Sequence, residues 1–278
     1  MTDVRDAAAP TQQASQGPRG DFIWYELMTP DPDGAKRFYD AVVGWDIEPK
    51  PTGIQPMDYR MIRRSDGGNA GGVLRIDEDM ATHGARPVWL GYLNVPDVDA
   101  TTASIESAGG KTLMATDITG VGRIAMVTDP QGAPLYVMKP QPPEGDPGAR
   151  SDVFSPTEAQ RVRWNELSTT DQDGAIDFYK RQFGWQQEGA MPMGEMGDYK
   201  FIQANGVNIG AIMRKPPQLP VSVWSYYIGV DDIDRAIAAI NDGGGKVLNG
   251  PHEIPGGEFA LNGLDPQGAS FGLVGPRK

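Results

Sequence analysis

The chain of 278 residues contains no cysteine and only two histidines. The first absence removes disulfides, zinc-thiolate centres, iron-sulfur clusters and thiol nucleophiles from consideration. The second leaves few imidazoles for metal ligation. Long apolar runs are missing as well. None approaches the roughly 20 residues that a membrane-spanning helix needs, and the opening MTDVRDAAAPTQQASQGPRG has no apolar stretch of the secretory kind. A cytoplasmic protein without a membrane partner is therefore expected, with residues 1–20 as a disordered tail. Basic residues number 25 against 37 acidic, and the formal charge of −12 comes with no basic patch. Such a chain repels phosphate backbones, which excludes nucleic acid as a partner, and attracts cations at long range.

What the chain does have is a repeat. WYELMTPDPDGAKRFYDAVVGW at 24–45 returns as WNELSTTDQDGAIDFYKRQFGW at 164–185, a shift of 164 − 24 = 140, with twelve identities and no gap. WLGYLNVPDVDA from Trp89 matches WSYYIGVDDIDRA from Trp224, GGKTL from Gly109 matches GGKVL from Gly244, and DPQGA at Asp129 recurs at Asp265. Because the blocks keep their order, a whole half has been duplicated. The stretch between the halves is rich in Pro, Gly and charge and lacks apolar periodicity, as a linker does. The expected division is 1–20 tail, 21–140 first domain, 141–160 linker and 161–278 second domain.

Each half looks doubled again. FIWYEL alternates as a strand, Asp31 to Gly34 supply helix-start chemistry, and Ala35, Phe38, Tyr39 and Val42 follow at helical spacing before Gly44 stops the helix. DYRMI at 58–62 and AGGVLRI at 70–76 are strand candidates, and the plan repeats from WLGYLNV through DATTASIESA to RIAMVTD and PLYVMK. The pattern predicts an α+β protein with two βαβββ modules per half, strongly curved sheets, helices outside and a cleft inside. Eight aspartates at helix starts (31, 33, 97, 99, 171, 173, 232 and 234) read as caps. The Gly-rich runs at 67–72 and 242–245 read as turns, not as phosphate loops.

With FY late in the first helix, GW just after it, DVDA opening the second helix and DPQG before the final strand, the plan resembles the vicinal-oxygen-chelate superfamily of glyoxalases, bleomycin-resistance proteins and dioxygenases. A ferredoxin-like duplication is the other architecture with these elements. The Trp-x-Glu-Leu opening of each half is similar to a tandem two-domain group of glyoxalase-like proteins named as hydroxylases or antigens. The resemblance implies metal ligands on the first strand of each module and on the final strand. Those positions hold Trp24 and Trp164, Leu90 and Ser225, and Tyr136 and Gly272. Apart from Tyr136, a weak ligand, none is competent, and His83 and His252 sit in loop-like sequence elsewhere. No metal and no cofactor are expected.

Strand alternation turns Ile23, Tyr25 and Leu27 under the helix and Trp24, Glu26 and Met28 inward. By the same rule Trp164, Glu166 and Ser168, Leu90, Tyr92 and Asn94, Ser225, Tyr227 and Gly229, and Tyr136 and Met138 face the clefts. Glu26 and Glu166 are the candidate catalytic carboxylates, with Tyr92, Tyr136 and Tyr227 as proton donors. Trp24, Trp164, Met28, Asn94, Met138 and Ser225 are the candidate ligand-binding residues. A carboxylate facing inward is costly unless paired or hydrated, so each Glu is either a site residue or a structural group bonded to a neighbouring hydroxyl. Three functions follow: a metal-independent binder of a small hydrophobic or aromatic molecule, cationic ones included; a metal-independent enzyme using a cleft Glu as general base; or a metal-dependent lyase. The expected partner is a small molecule, and the expected assembly a monomer or weak homodimer.

Overall fold

The computed structural model describes residues 19–52, 57–142, 145–146 and 148–278. All but the last two residues of the expected tail therefore fall outside it. The first half runs β1 (Phe22–Thr29), α1 (Pro32–Val43), β2 (Asp46–Ile47), β3 (Tyr59–Arg63), β4 (Asn69–Arg75), α2 (Glu78–Thr82), β5 (Val88–Asn94), α3 (Val98–Ser107), β6 (Lys111–Ile118), β7 (Gly122–Thr128) and β8 (Pro134–Pro140). The second half runs β9 (Val162–Thr169), α4 (Gln172–Phe183), β10 (Gln186–Pro192), β11 (Asp198–Ala204), β12 (Val207–Arg214), β13 (Val223–Gly229), α5 (Ile233–Asp242), β14 (Lys246–Glu253), β15 (Phe259–Leu264) and β16 (Ser270–Gly275). This is βαβββ twice per half, with α2 as an addition that the second half lacks.

Helix boundaries follow from local chemistry. Asp31 caps α1 by accepting from the Gly34 N–H at 2.9 Å, Pro32 occupies the first turn, and Gly44 ends the helix at φ 82°. Asp171 and Gly184 do the same for α4. Asp97 and Asp232 cap α3 and α5.

Each half forms one continuous eight-stranded sheet, in the order β2-β3-β4-β1-β5-β8-β7-β6 and β10-β11-β12-β9-β13-β16-β15-β14. The two modules of a half join where β1 pairs antiparallel with β5, and β9 with β13. The four module helices α1, α3, α4 and α5 are not on the outside of the molecule. α1 packs on α5 and α3 on α4, so they lie between the two halves and share one apolar core. The repeated landmarks meet there. Tyr39 of the first FY accepts from Trp89 Nε1 at 2.9 Å and donates to Asp265 of the second DPQG at 3.2 Å. Tyr179 mirrors it, with Trp224 at 3.0 Å and Asp129 at 3.2 Å. The GW tryptophans cross as well, Trp45 Nε1 to the Gln160 carbonyl and Trp185 Nε1 to that of Gly20.

Several readings need correction. A β-bulge between Phe22 and Trp24 breaks the alternation, placing Phe22 in the shared core and Ile23 on the cleft side. Of the glycine run at 67–72, Gly71 and Gly72 lie in β4 and not in a turn. They are glycine because a Cβ would fall 2.2 Å from the Tyr25 carbonyl oxygen at Gly71 and 2.1 Å from the Tyr59 hydroxyl at Gly72. His252 stands in strand β14, not in a loop. No helix among the described residues is long and apolar enough to cross a membrane.

Candidate functional site

The inner face of the first sheet is an open cleft of about 2530 Å³, and Trp24, Glu26, Met28, Tyr92, Asn94, Tyr136 and Met138 all line it. The strands explain why. Trp24 pairs with Tyr92 and Tyr92 with Tyr136, so three aromatic positions stand abreast on β1, β5 and β8. The Tyr92 and Tyr136 rings stack at 4.2 Å and 11°, making a flat aromatic wall. Around it the surface is soft and apolar: seven of the chain's twelve methionines line this one cleft. Thioether side chains adapt to ligand shape and pack well against rings.

Glu26 sits two pairs along from Trp24, opposite Leu90, and is 2% exposed. Its Oε2 accepts from the Tyr92 hydroxyl at 2.9 Å, whereas Oε1 is buried with no hydrogen-bond partner. Leaving such an oxygen unpaired costs about 1–3 kcal/mol. Burial pushes its pKa up to about 7, against the pull of the Tyr92 and Tyr59 hydroxyls. The carboxyl is thus divided between acid and anion at neutral pH. Because the Tyr92 bond holds that value down, Tyr92→Phe is expected to raise it by about one unit. Carbon-13 NMR titration of the Glu26 carboxyl checks this, and an unchanged midpoint would contradict the geometry.

Tyr59 completes the group and was not anticipated. It reaches across from β3 over Gly72, and its hydroxyl accepts from Trp24 Nε1 at 2.6 Å. Tyr199 does the same for Trp164 in the second half, also at 2.6 Å. The sequence carried a cue, since Asp58-Tyr59 and Asp198-Tyr199 stand at the repeat's own shift, 199 − 59 = 140.

The second half keeps the plan and changes the chemistry. Glu166 Oε2 accepts from Tyr199 at 2.8 Å, and Tyr227 lies 3.4 Å from both of its oxygens. Tyr227 also pairs with Asn262, whose Nδ2 donates to its hydroxyl at 3.0 Å. Burial raises the Glu166 pKa too, opposed by Tyr199 and Tyr227. Where the first half has Met28, Leu90, Met126 and Tyr136, the second has Ser168, Ser225, Asn262 and Gly272. Ser225 pairs with Glu166 and Tyr227 with Trp164. The aromatic stack therefore has no counterpart here, and the carboxylate has partners on both oxygens.

A chelated divalent metal does not fit these side chains. The register sets Trp24, Tyr92 and Tyr136 abreast in one half and Trp164, Tyr227 and Gly272 in the other. Leu90 is offset by two pairs, opposite Glu26, so the ligand position assigned to it belongs instead to Tyr92 if the three are to converge. Each site then offers one carboxylate with tyrosine hydroxyls, and among the described residues no group of three or more His, Cys, Asp or Glu is placed to hold an ion.

The signature of the Glyoxalase/Bleomycin resistance protein/Dioxygenase superfamily matches residues 22–136 and again 161–273. The chain is similar to CFP32 of Mycobacterium tuberculosis (strain CDC 1551 / Oshkosh), whose name carries a provisional glyoxylase assignment. The two are 32% identical over 256 residues, spanning 91% of this chain and 94% of that protein. It is also similar to the anthracycline biosynthesis protein DnrV of Streptomyces peucetius, 28% identical over 90% of this chain and 91% of that one. Among solved structures, the 2,2',3-trihydroxybiphenyl 1,2-dioxygenase of Sphingomonas wittichii strain RW1 superposes with a TM-score of 0.63 at 14% identity, covering 92% of this chain and 90% of that one. The Mn(II)-bound glyoxalase of Novosphingobium aromaticivorans gives 0.60 at 17%, covering 94% and 83%. With both halves matched and the fold shared, the chain belongs to the Glyoxalase/Bleomycin resistance protein/Dioxygenase superfamily as a tandem pair of its domains.

Proposed function

We propose that the first half binds a small, flat, largely apolar molecule in its cleft without a bound metal ion, as a resistance or sequestration protein would. The observation that carries this reading is the buried Glu26 Oε1, unpaired inside an aromatic and methionine-lined cleft. Buried polar atoms are almost always satisfied, and an exception at the floor of a cleft is a place for a ligand atom. The name of the anthracycline biosynthesis relatives supports a flat fused-ring ligand class. Native mass spectrometry of the protein purified from its own host tests the proposal. A retained aromatic molecule, at one per chain and lost in Tyr136→Ala, is the expected result. Stoichiometric metal without an organic ligand would overturn it.

A second reading has its own support. A Glu with pKa near 7, hydrogen-bonded to a tyrosine in a water-poor site, is suited to general acid-base work on a bound substrate. Under that reading the retained molecule is converted on incubation, the rate breaks near pH 7, and Glu26→Gln loses turnover by about 100-fold or more.

A further inference from the structure

We propose that the first cleft selects molecules bearing a ketone or quinone oxygen on a fused aromatic ring, and that the Glu26 carboxyl donates to that oxygen from Oε1. The inference rests on the reading of this cleft as a binding site for a flat apolar molecule and adds what the molecule must carry.

The geometry assigns the roles of the two oxygens. Tyr92 already donates to Oε2 at 2.9 Å, so a proton on the carboxyl sits on Oε1, the oxygen without a partner. The side chains facing Glu26 are Trp24 on its own strand and Tyr59, Tyr92 and Tyr136 from β3, β5 and β8, all uncharged. Burial and the hydroxyls of Tyr92 and Tyr59 are the influences on its carboxyl, with no cation among them to hold the anion. A ring that fills the cleft expels water and favours the neutral acid further. A neutral acid buried with a free O–H calls for an acceptor, and a ring carbonyl in plane with its ring is one. The Tyr92–Tyr136 wall supplies the stacking surface for that ring.

The net charge of −12 would favour a flat cation instead, but only at long range, where salt screens it. Inside the cleft the local chemistry decides. The second half has Gly272 for Tyr136 and partners on both Glu166 oxygens, so one site per chain is expected.

Three flat probes test this on the full chain: 9-fluorenone, its isostere fluorene without the oxygen, and the cation 9-aminoacridine. Tryptophan fluorescence gives affinities, and calorimetry in buffers of different ionisation enthalpy gives protons exchanged. At pH 6, 9-fluorenone is expected to bind one per chain and about tenfold tighter than fluorene, as a made hydrogen bond inside an apolar site allows. Above pH 7 the advantage shrinks and binding takes up a proton. Glu26→Gln keeps the preference but loses its pH dependence, because the amide donates in place of the acid. Glu26→Leu still binds fluorene but loses the preference. Equal affinity for 9-fluorenone and fluorene at every pH would overturn the carbonyl assignment while leaving the binding cleft intact. Tighter binding of 9-aminoacridine with proton release would do the same. Failure of all three to bind would overturn the cleft reading and this one with it.

Discussion

Replacing Glu26 by Gln stabilises the fold, and the gain grows as pH rises from about 4.5 to about 7, the range between the ordinary value of the group and its value here. A carboxyl raised on folding holds its proton more tightly in the folded state. Its favourable contribution is therefore present below the unfolded value and lost as pH climbs through the folded one. At neutral pH the cost of Glu26 reaches about 3 kcal/mol, from a rise of about 2.5 units at 1.36 kcal/mol each. Urea unfolding of wild type and Glu26→Gln at several pH values gives the difference directly, and a flat difference would show that Glu26 is not buried as described. Glu166 supplies the contrast. Glu166→Leu removes the shared acceptor of Tyr199 and Tyr227, a loss of about 1–2 kcal/mol that relief of the same kind of burial penalty offsets, so the stability gain seen for Glu26→Gln is not expected in full here and binding in the first cleft is unchanged. The two carboxyls thus share a burial penalty and differ in their hydrogen bonding, at the same place in a repeat.

Much of this architecture was readable in the residues because duplication prints it twice. The capping aspartates 31, 97, 171 and 232, the FY and GW positions and the inward set Trp24, Glu26, Tyr92 and Tyr136 follow from period and offset. Asp33, Asp99, Asp173 and Asp234, also read as caps, lie instead in the first turn and pair with Arg60, Arg123, Lys200 and Arg277. The landmarks themselves turn out to hold the halves together and carry no cleft chemistry: Tyr39 and Trp89 serve Asp265 across the interface. Tyr59 was missed for a geometric reason. It belongs to the third strand of its module, two strands from β1, and reaches the site only by crossing Gly72, a contact that alternation along one strand does not reveal. The level of Leu90 was misplaced for a similar reason, since strand register depends on pairing and not on spacing within a strand. The pairing of Glu166 on both oxygens depends on Tyr199 and Tyr227 together, from strands far apart in sequence.

Tyr226→Ala is expected to cost about 3–5 kcal/mol, the loss typical of a large ring removed from a packed core, although the residue touches neither Glu26 nor Glu166 in any hydrogen bond described above. Its place explains the size. The two halves are related by a pseudo-dyad, and near it equivalent residues meet their own copies. Tyr25 donates to Asn165 at 2.8 Å, and 165 − 25 = 140 is the repeat shift. Gly91 N–H donates to the Tyr226 hydroxyl at 2.7 Å, and 226 − 91 = 135 is the shift of that block. Two identical halves would present the same residue twice, and two tyrosines could not occupy this space. A Cβ on Gly91 alone would lie 2.9 Å from the Tyr226 hydroxyl and 2.7 Å from Phe22. The halves have become complementary, one supplying the ring and the other the gap. Tyr226→Phe keeps the ring and strands the Gly91 N–H, which costs about 1–2 kcal/mol. Gly91 is flanked by Leu90 and Tyr92, both of the first cleft, so the second half supports the strand that carries the Glu26 partner. Tyr226→Ala should therefore weaken ligand binding in the first cleft as well as the fold. A urea midpoint close to wild type, with unchanged affinity, would show that the two halves stand independently.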